Sequence, residues 1–189
     1  MEQIIHNEIL HKEVMNELLQ IYVGRQPIGQ DLFHTRVIES GNEFIRTNLN
    51  EALEKFKKLS KVKSDGANIP NEKIRCSLIA FAIEVTRALV EFAGEEGEKE
   101  CFVKDMYDGL HNLYIKKNTD YGDSFHQTFI EEGFAMARIR LSDKISRFNT
   151  LSKTKDLKGQ VSDESINDTL LDALNYAVMT IMEIDRGEK

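Results

Sequence analysis

The chain has 189 residues, with 25 Lys and Arg set against 32 Asp and Glu, for a formal net charge of −7. Hydrophobic residues make up 41% and charged residues 30%, with 2 Pro, 11 Gly and no Trp, which suits a globular core and excludes collagen-like or Pro-rich linker architectures. The acidic balance argues against a protein that lives on duplex nucleic acid or on an anionic membrane, while leaving room for a local basic pocket that takes a small anion.

Residues Met1 to His11 carry Glu2, His6 and Glu8 where a secretory signal would place basic and then apolar residues, so none is expected. Apolar residues recur at helical spacing along Ile4, Ile5, Ile9, Leu10, Val14, Leu18 and Leu19, which predicts a helix over about 2–23. Gly24 and the Gln26-Pro27-Ile28-Gly29 stretch stop it. A second helical pattern starts near Asp31 and runs to about Leu59, with a break at Gly41 open. Ser60 to Pro70 reads as a surface loop, and Lys55 to Lys63 as a solvated helix end. Asn71 caps a very apolar helix, Ile74 to Phe92, expected at the centre of the bundle. Its Ile79–Val90 run is broken by Glu84 and Arg87 and is too short to span a membrane.

The Gly94-Glu95-Glu96-Gly97 turn leads to a helix over about 98–117, and the segment from Asn118 to Ser124 is turn chemistry. A long helix follows from about Phe125 to Ser152, then a basic loop over 153–161. Ser162 or Asp163 caps a last helix reaching about Asp185. No segment alternates with the period of a strand. The expected fold is therefore all-α, a bundle of about six helices. Cys76 and Cys101 lie far apart without a CxxC or Cys/His cluster, so a reducing, cytoplasmic setting is expected. His6, His11, His34, His111 and His126 have no evident partner in sequence and are given no role. The excess of apolar helix faces points to a homo-oligomer.

The polar residues of the last two helices carry the chemistry. At roughly 100° per residue, Glu164, Asp168, Asp172 and Asn175 form one stripe bordering the apolar arc of Leu170, Leu171, Leu174, Ala177, Val178 and Ile181. Carboxylates at successive turns repel, and are better explained if a cation lies against them. In the preceding helix Glu132, Arg140, Asp143 and Arg147 line a stripe beside Ile130, Phe134, Ala137, Leu141, Ile145 and Phe148. Antiparallel packing would let the two polar borders converge. Carboxylates meeting from two helices suit Mg²⁺, and Arg138, Arg140, Lys144 and Arg147 suit phosphate oxygens. The plainer alternative is a solvated ladder of charges on each helix. In the Lys117-Asn118-Thr119-Asp120-Tyr121-Gly122 turn, Tyr121 could stack on a base and Lys116 or Lys117 could meet a phosphate. Those lysines are equally explained as favourable charges at a helix C-terminus.

Taken in order, Lys117-Asn118-x-Asp120-Tyr121-Gly122, then Arg138 with Asp143-Lys144 and Arg147, then the Val161-to-Ala177 block holding Asp168, Asp172 and Asn175, resemble the nucleotide-modification-associated domain of phages and bacteria. The likeness covers roughly 105–185 and divides the chain into an N-terminal helical region, 1–104, of unassigned role and a nucleotide-associated domain, 105–189. It implies a phage-type protein of the host cytoplasm, handling modified nucleotides. The closing helix also resembles that of MazG-type all-α nucleoside triphosphate pyrophosphatases, which implies a MazG-like helical core in the C-terminal half, with Glu131-Glu132 standing for their Glu pair. Glu164, Asp168 and Asp172 are spaced four apart, where the MazG pattern has three.

Three functions follow. In the first, Glu132, Glu164, Asp168 and Asp172 hold Mg²⁺ for hydrolysis of a nucleotide's phosphate chain, while Lys144, Arg140 and Arg147 offset the developing charge. In the second, Lys117, Asn118, Asp120, Tyr121, Arg138, Arg140, Lys144, Arg147 and Asn175 bind a nucleotide-derived signal without turnover, as an anti-defence sponge would. The third is a helical adaptor with no small ligand.

Overall fold

The computed structural model describes residues 2–24, 28–93, 99–153 and 165–187. The turns expected at 25–27, 94–98 and 154–161, the caps at Ser162 and Asp163, and Glu164 lie outside the described residues, as does the side chain of Tyr121. Eight helices are described: α1 (Glu2–Gly24), α2 (Ile28–Ser40), α3 (Asn42–Ser64), α4 (Asn71–Ala93), α5 (Lys99–Tyr121), α6 (Ser124–Glu132), α7 (Phe134–Leu151) and α8 (Ile166–Arg186). The fold is all-α.

The count exceeds six because two predicted helices are each cut by a glycine. Gly41 (φ 61°, ψ −155°) separates α2 from α3, and Gly133 (φ 56°, ψ −144°) separates α6 from α7. Both sit in a region of backbone space that only glycine occupies without strain. The Gly133 break also corrects the expected buried arc. Ile130 belongs to α6 rather than to the following helix and is 69% exposed, and Glu132 ends α6 in solvent. Two further boundaries move: α3 continues through Ser60 to Ser64, with its Lys61 and Lys63 in the last turn, and α5 continues through Asn118 to Tyr121.

Four helices form a closed ring around the core: α3 packs on α4, α4 on α8, α8 on α7, and α7 back on α3. The sequence supplies each with an apolar stripe at helical spacing, such as Ile45, Leu49, Leu53 and Phe56 on α3, or Leu170, Leu174, Ala177, Val178 and Ile181 on α8. Phe56, Phe81 and Phe148 are wholly buried. The α3–α7 seam also carries a reciprocal amide pair, Asn50 Nδ2 to Asn149 Oδ1 at 3.1 Å and Asn149 Nδ2 to Asn50 Oδ1 at 3.0 Å. α1 and α5 pack on each other and lie across α8 and α4, α2 covers one end of α3 and α4, and α6 rests on α7 and α8. One α1 face proves two-sided. Leu10, Val14 and Leu18 are buried, whereas Ile5 and Ile9 of the expected apolar face are half-exposed.

Buried residues from both sides of position 104 share this core, and α5 runs through the position without interruption. Arg75 of α4 ties the halves together from outside the apolar layer. Its guanidinium donates to Glu17 of α1 (Nη1–Oε1, 2.9 Å; Nη2–Oε2, 2.5 Å) and to Asp185 of α8 (Nε–Oδ1, 2.7 Å). The hydrogen bonds from Arg75 hold the Glu17 carboxyl below its usual range, outweighing its partial burial. No described helix is long and apolar enough to cross a membrane.

Two outcomes are expected from unfolding measurements. Gly133→Ala has open space for its Cβ, so its cost is backbone strain alone, of order 1–3 kcal/mol in denaturant titrations. Arg75→Met should cost about 1–2 kcal/mol at neutral pH, since it leaves two half-buried carboxylates without their donor. Because the Glu17 value is depressed in the folded state, that contribution is present above its unfolded value of 4.5 and disappears as pH falls through its folded one. The gap between wild type and Arg75→Met should therefore close on acidification.

Candidate functional site

A cavity of about 220 Å³ opens where the end of α5, the start of α6, and the facing sides of α7 and α8 meet. Helical spacing explains how α8 forms its longest wall. Asp172, Tyr176, Met179, Glu183 and Arg186 fall three or four residues apart and so share one side of the helix, with Asn175 beside Tyr176 at its border. Lys117 and Asn118 come from the last turn of α5, and Gly122 (φ 63°) then turns the chain so that Asp123, Ser124 and Phe125 continue the wall. Arg140 and Met136 reach in from α7.

The apolar part of the lining consists of Met136, Met179 and Met182 with Phe125 and Tyr176, whose rings stack 6.2 Å apart at 22°. The Arg140 guanidinium lies 5.8 Å from the centre of the Tyr176 ring, at cation–π distance.

The charges of the wall are unequally partnered. Asp172 accepts from Lys144 at 2.8 Å. Glu183 accepts from Arg186 (Nη1–Oε1, 2.5 Å) and lies 2.6 Å from His126 Nδ1. Asp123 Oδ2 accepts from Asn7 Nδ2 at 2.7 Å and faces Arg186 Nη2 at 3.4 Å, while Asn7 Oδ1 accepts from the same Nη2 at 2.5 Å. Burial raises the Glu183 carboxyl above its usual range, against the pull of His126 and Arg186. With all three carboxylates so held, Lys117 and Arg140 are the cavity cations without a carboxylate at ion-pair distance among the described residues. Two buried donors of the wall, Asn118 Nδ2 and Arg186 Nε, also meet no acceptor among the described residues.

α1 closes the cavity from behind. His11, fully buried, stacks on Tyr114 (4.1 Å, 15°), with Nε2 3.4 Å from Asn175 Oδ1 and Nδ1 3.1 Å from His111 Nδ1. Burial lowers its value to about 3, so the ring is neutral at physiological pH.

Five of the residues singled out by sequence therefore meet in one place: Lys117, Asn118, Arg140, Asp172 and Asn175. The others lie elsewhere. Arg138 points to the opposite seam, donating to Ser60 Oγ and Ser64 Oγ of α3 at 3.4 Å. Lys144 is engaged by Asp172, and Arg147 is half-buried on α7 away from the lining. Asp120 is exposed at the end of α5. Asp168 closes a capping box with Ser165 at the start of α8, accepting from Ser165 N at 3.0 Å and Ser165 Oγ at 2.8 Å. Glu132 is exposed, and Glu164 lies outside the described residues. Among the described residues, no three His, Cys, Asp or Glu side chains form a group able to hold a metal ion.

The sequence reading missed Asn7, His11, Asp123, His126, Glu183 and Arg186. One signal was available: Glu183 is the only carboxylate in the otherwise uncharged Val178–Ile184 run, where a buried acid requires a partner. The partners themselves come from α1 and α6, and no spacing within α8 announces them.

Residues 117–184 match the family model described as nucleotide modification associated domain 1. That span begins at Lys117 and ends just past Glu183, so it contains nearly all of the cavity wall but neither α1 nor Arg186. No curated protein and no solved structure matches the chain, so the likeness to MazG-type pyrophosphatases rests on the residues alone.

The buried His11 sets a pH dependence. Between its unfolded value of 6.5 and its folded value of about 3, the unfolded chain takes up a proton that the folded chain refuses. Stability therefore falls as pH drops through that window. His11→Phe should unfold with a shallower acid slope than wild type, measured as denaturation midpoint against pH.

Proposed function

We propose that this chain binds a nucleotide in the α5–α8 cavity, with the base against the aromatic and methionine lining and the phosphate against Lys117 and Arg140. The observation that carries the reading is the pair of cations left without a carboxylate in a wall whose three acids already have partners. Those two cations can meet a phosphate without first breaking an ion pair. An Arg fork and a Lys beside stacked aromatic rings make the combination that a nucleotide's two chemical ends require. The volume agrees. About 150 Å³ suffices for benzene in an apolar cavity, so about 220 Å³ accommodates a substituted heterocycle, leaving the phosphate at the mouth where the two cations stand. The family match over 117–184 supports the same ligand class.

Binding without turnover is the form of this reading that the side chains support best. Of the carboxylates expected to hold Mg²⁺, Asp168 caps α8, Asp172 pairs with Lys144, Glu132 stands in solvent and Glu164 lies outside the described residues, so this reading does not draw on a metal. No hydrolytic step is attached to the cavity. In its narrower form the proposal is a protein that retains a nucleotide or nucleotide-derived signal and releases it intact.

Titration calorimetry with a panel of nucleoside monophosphates and triphosphates should give saturable binding. Chromatography after denaturing the complex should return the nucleotide unchanged. Lys117→Ala and Arg140→Ala should each weaken binding about tenfold, the effect of losing one charge-assisted contact, and should leave affinity for the phosphate-free nucleoside nearly as it was. Absence of binding across the panel would overturn the reading. Recovery of hydrolysed products would replace the binder with an enzyme.

A further inference from the structure

We infer that Asn118 and Asn175 form a two-donor reader for a nucleobase that presents carbonyl oxygens, and that His11, from the N-terminal helix, is the positioning residue that directs Asn175. The inference rests on the nucleotide reading and deepens it by naming the class of base.

Asn118 is 6% exposed, lines the cavity, and its Nδ2 is buried without an acceptor. A buried amide donor with no partner is costly, and native proteins rarely keep one unless something else satisfies it. The nearby glycine turn makes no demand for an amide here, since Gly122 rather than Asn118 takes the positive φ. Asn118 also sits within the helix, where a stronger helix former would serve the backbone better. What Asn118 supplies at this position is an unmet donor within the cavity wall.

Asn175 is 8% exposed, and its orientation is set from behind. Its Oδ1 faces His11 Nε2 at 3.4 Å. A neutral imidazole has one N–H. If that proton sits on Nε2, where Asn175 Oδ1 can accept it, His11 Nδ1 is left with a lone pair. The His111 Nδ1, 3.1 Å away, then donates to it. This relay satisfies both ring contacts, and the stack on Tyr114 fixes the plane of the His11 ring. With its oxygen held towards α1, Asn175 turns its NH₂ to the cavity, and that NH₂ has no acceptor among the described residues.

Both amides thus hold unmet N–H groups in the wall of the same cavity, that of Asn118 within reach of a ligand once the side chain turns. The acceptors in the wall cannot serve an amino-bearing base as freely, because Asp172, Asp123 and Glu183 each accept from a cation or from Asn7. Uracil, thymine and guanine place a carbonyl oxygen where cytosine and adenine place an amino group. Against Asn118 and Asn175 the first set finds donors, and the second set opposes N–H to N–H. A site built to hydrogen-bond one polar group rejects the analogue lacking it far more strongly than an apolar pocket does.

The test uses the full chain and four ligands that share sugar and phosphate: dUMP, dCMP, dGMP and dAMP, titrated calorimetrically. dUMP should bind about tenfold or more tightly than dCMP, and dGMP than dAMP, as loss of one hydrogen bond with an opposed donor requires. Asn175→Asp puts an acceptor where the donor was and should invert the dUMP to dCMP ratio. Asn118→Ala should lower that ratio towards one. His11→Phe keeps an aromatic ring on Tyr114 but removes the relay; it should collapse the base ratio while preserving the preference for dUMP over deoxyuridine, which reports the phosphate contacts. If His11→Phe does not fold, the two asparagine variants decide the matter. Equal affinities for the oxo and amino members, or an unchanged ratio in Asn175→Asp, would overturn this inference while leaving the nucleotide reading intact. Failure of all four ligands to bind would overturn both.

Discussion

α8 is surrounded on nearly every side, and the rest of the molecule is arranged by the need to satisfy what it buries. Thirteen of its residues are buried, among them Thr169, Asn175, Thr180 and Glu183. The two threonines solve the problem within the helix, each donating to the carbonyl four residues back, Thr169 to Ser165 at 3.0 Å and Thr180 to Tyr176 at 2.7 Å. Asn175 and Glu183 cannot do so. Asn175 is met by His11 from α1, and Glu183 by His126 from α6 and by Arg186 one turn on. A buried polar group without such partners costs stability on the scale of a whole helix cap. The two obligations bring α1 and α6 against α8, α1 behind the cavity and α6 at its edge.

This explains why the N-terminal half, which has no motif of its own, belongs to the site. Asn7 and His11 are one helical turn apart on α1, and between them they touch Asp123, Arg186, Asn175 and His111. The stretch matching the family model supplies the wall, while the helices outside it supply the backing that orients the wall's side chains. Arg75, reaching from α4 to Glu17 and Asp185, holds α1 in register at the other end.

Helical class, the apolar α4 and the convergence of Lys117, Asn118, Arg140, Asp172 and Asn175 were legible because each depends on spacing within one helix or on neighbouring segments. The α6–α7 break was not, since apolar residues keep a helical rhythm on both sides of Gly133 and a glycine's sign of φ leaves no trace in periodicity. Arg138 was misplaced for a related reason. α7 has two polar borders, one towards α8 and one towards α3, and a helical wheel cannot say which of them faces the cavity. The acidic stripe of α8 divided along its length: Asp168 serves the helix end, Asp172 a lysine on the next helix, and Asn175 the core. Asn7 and Asp123 lie 116 positions apart, beyond the reach of any pattern argument.

The shortest helix is held differently from the rest. α6 has no buried residue, and it is bracketed by Gly122 and Gly133, both at positive φ and both with open space around them. Its Asp123 N-cap makes no side-chain cap bond, and it is attached through the contact of His126 with Glu183 and through Phe125 and Phe129 against Tyr176 and Phe134. α8, forming the opposite wall, belongs to the cooperative core. Exchange of backbone amides with solvent at α6 is therefore governed by a small local opening, and at α8 by unfolding of the whole domain. The two walls therefore differ in how firmly they are held, the nine residues of α6 against the buried length of α8.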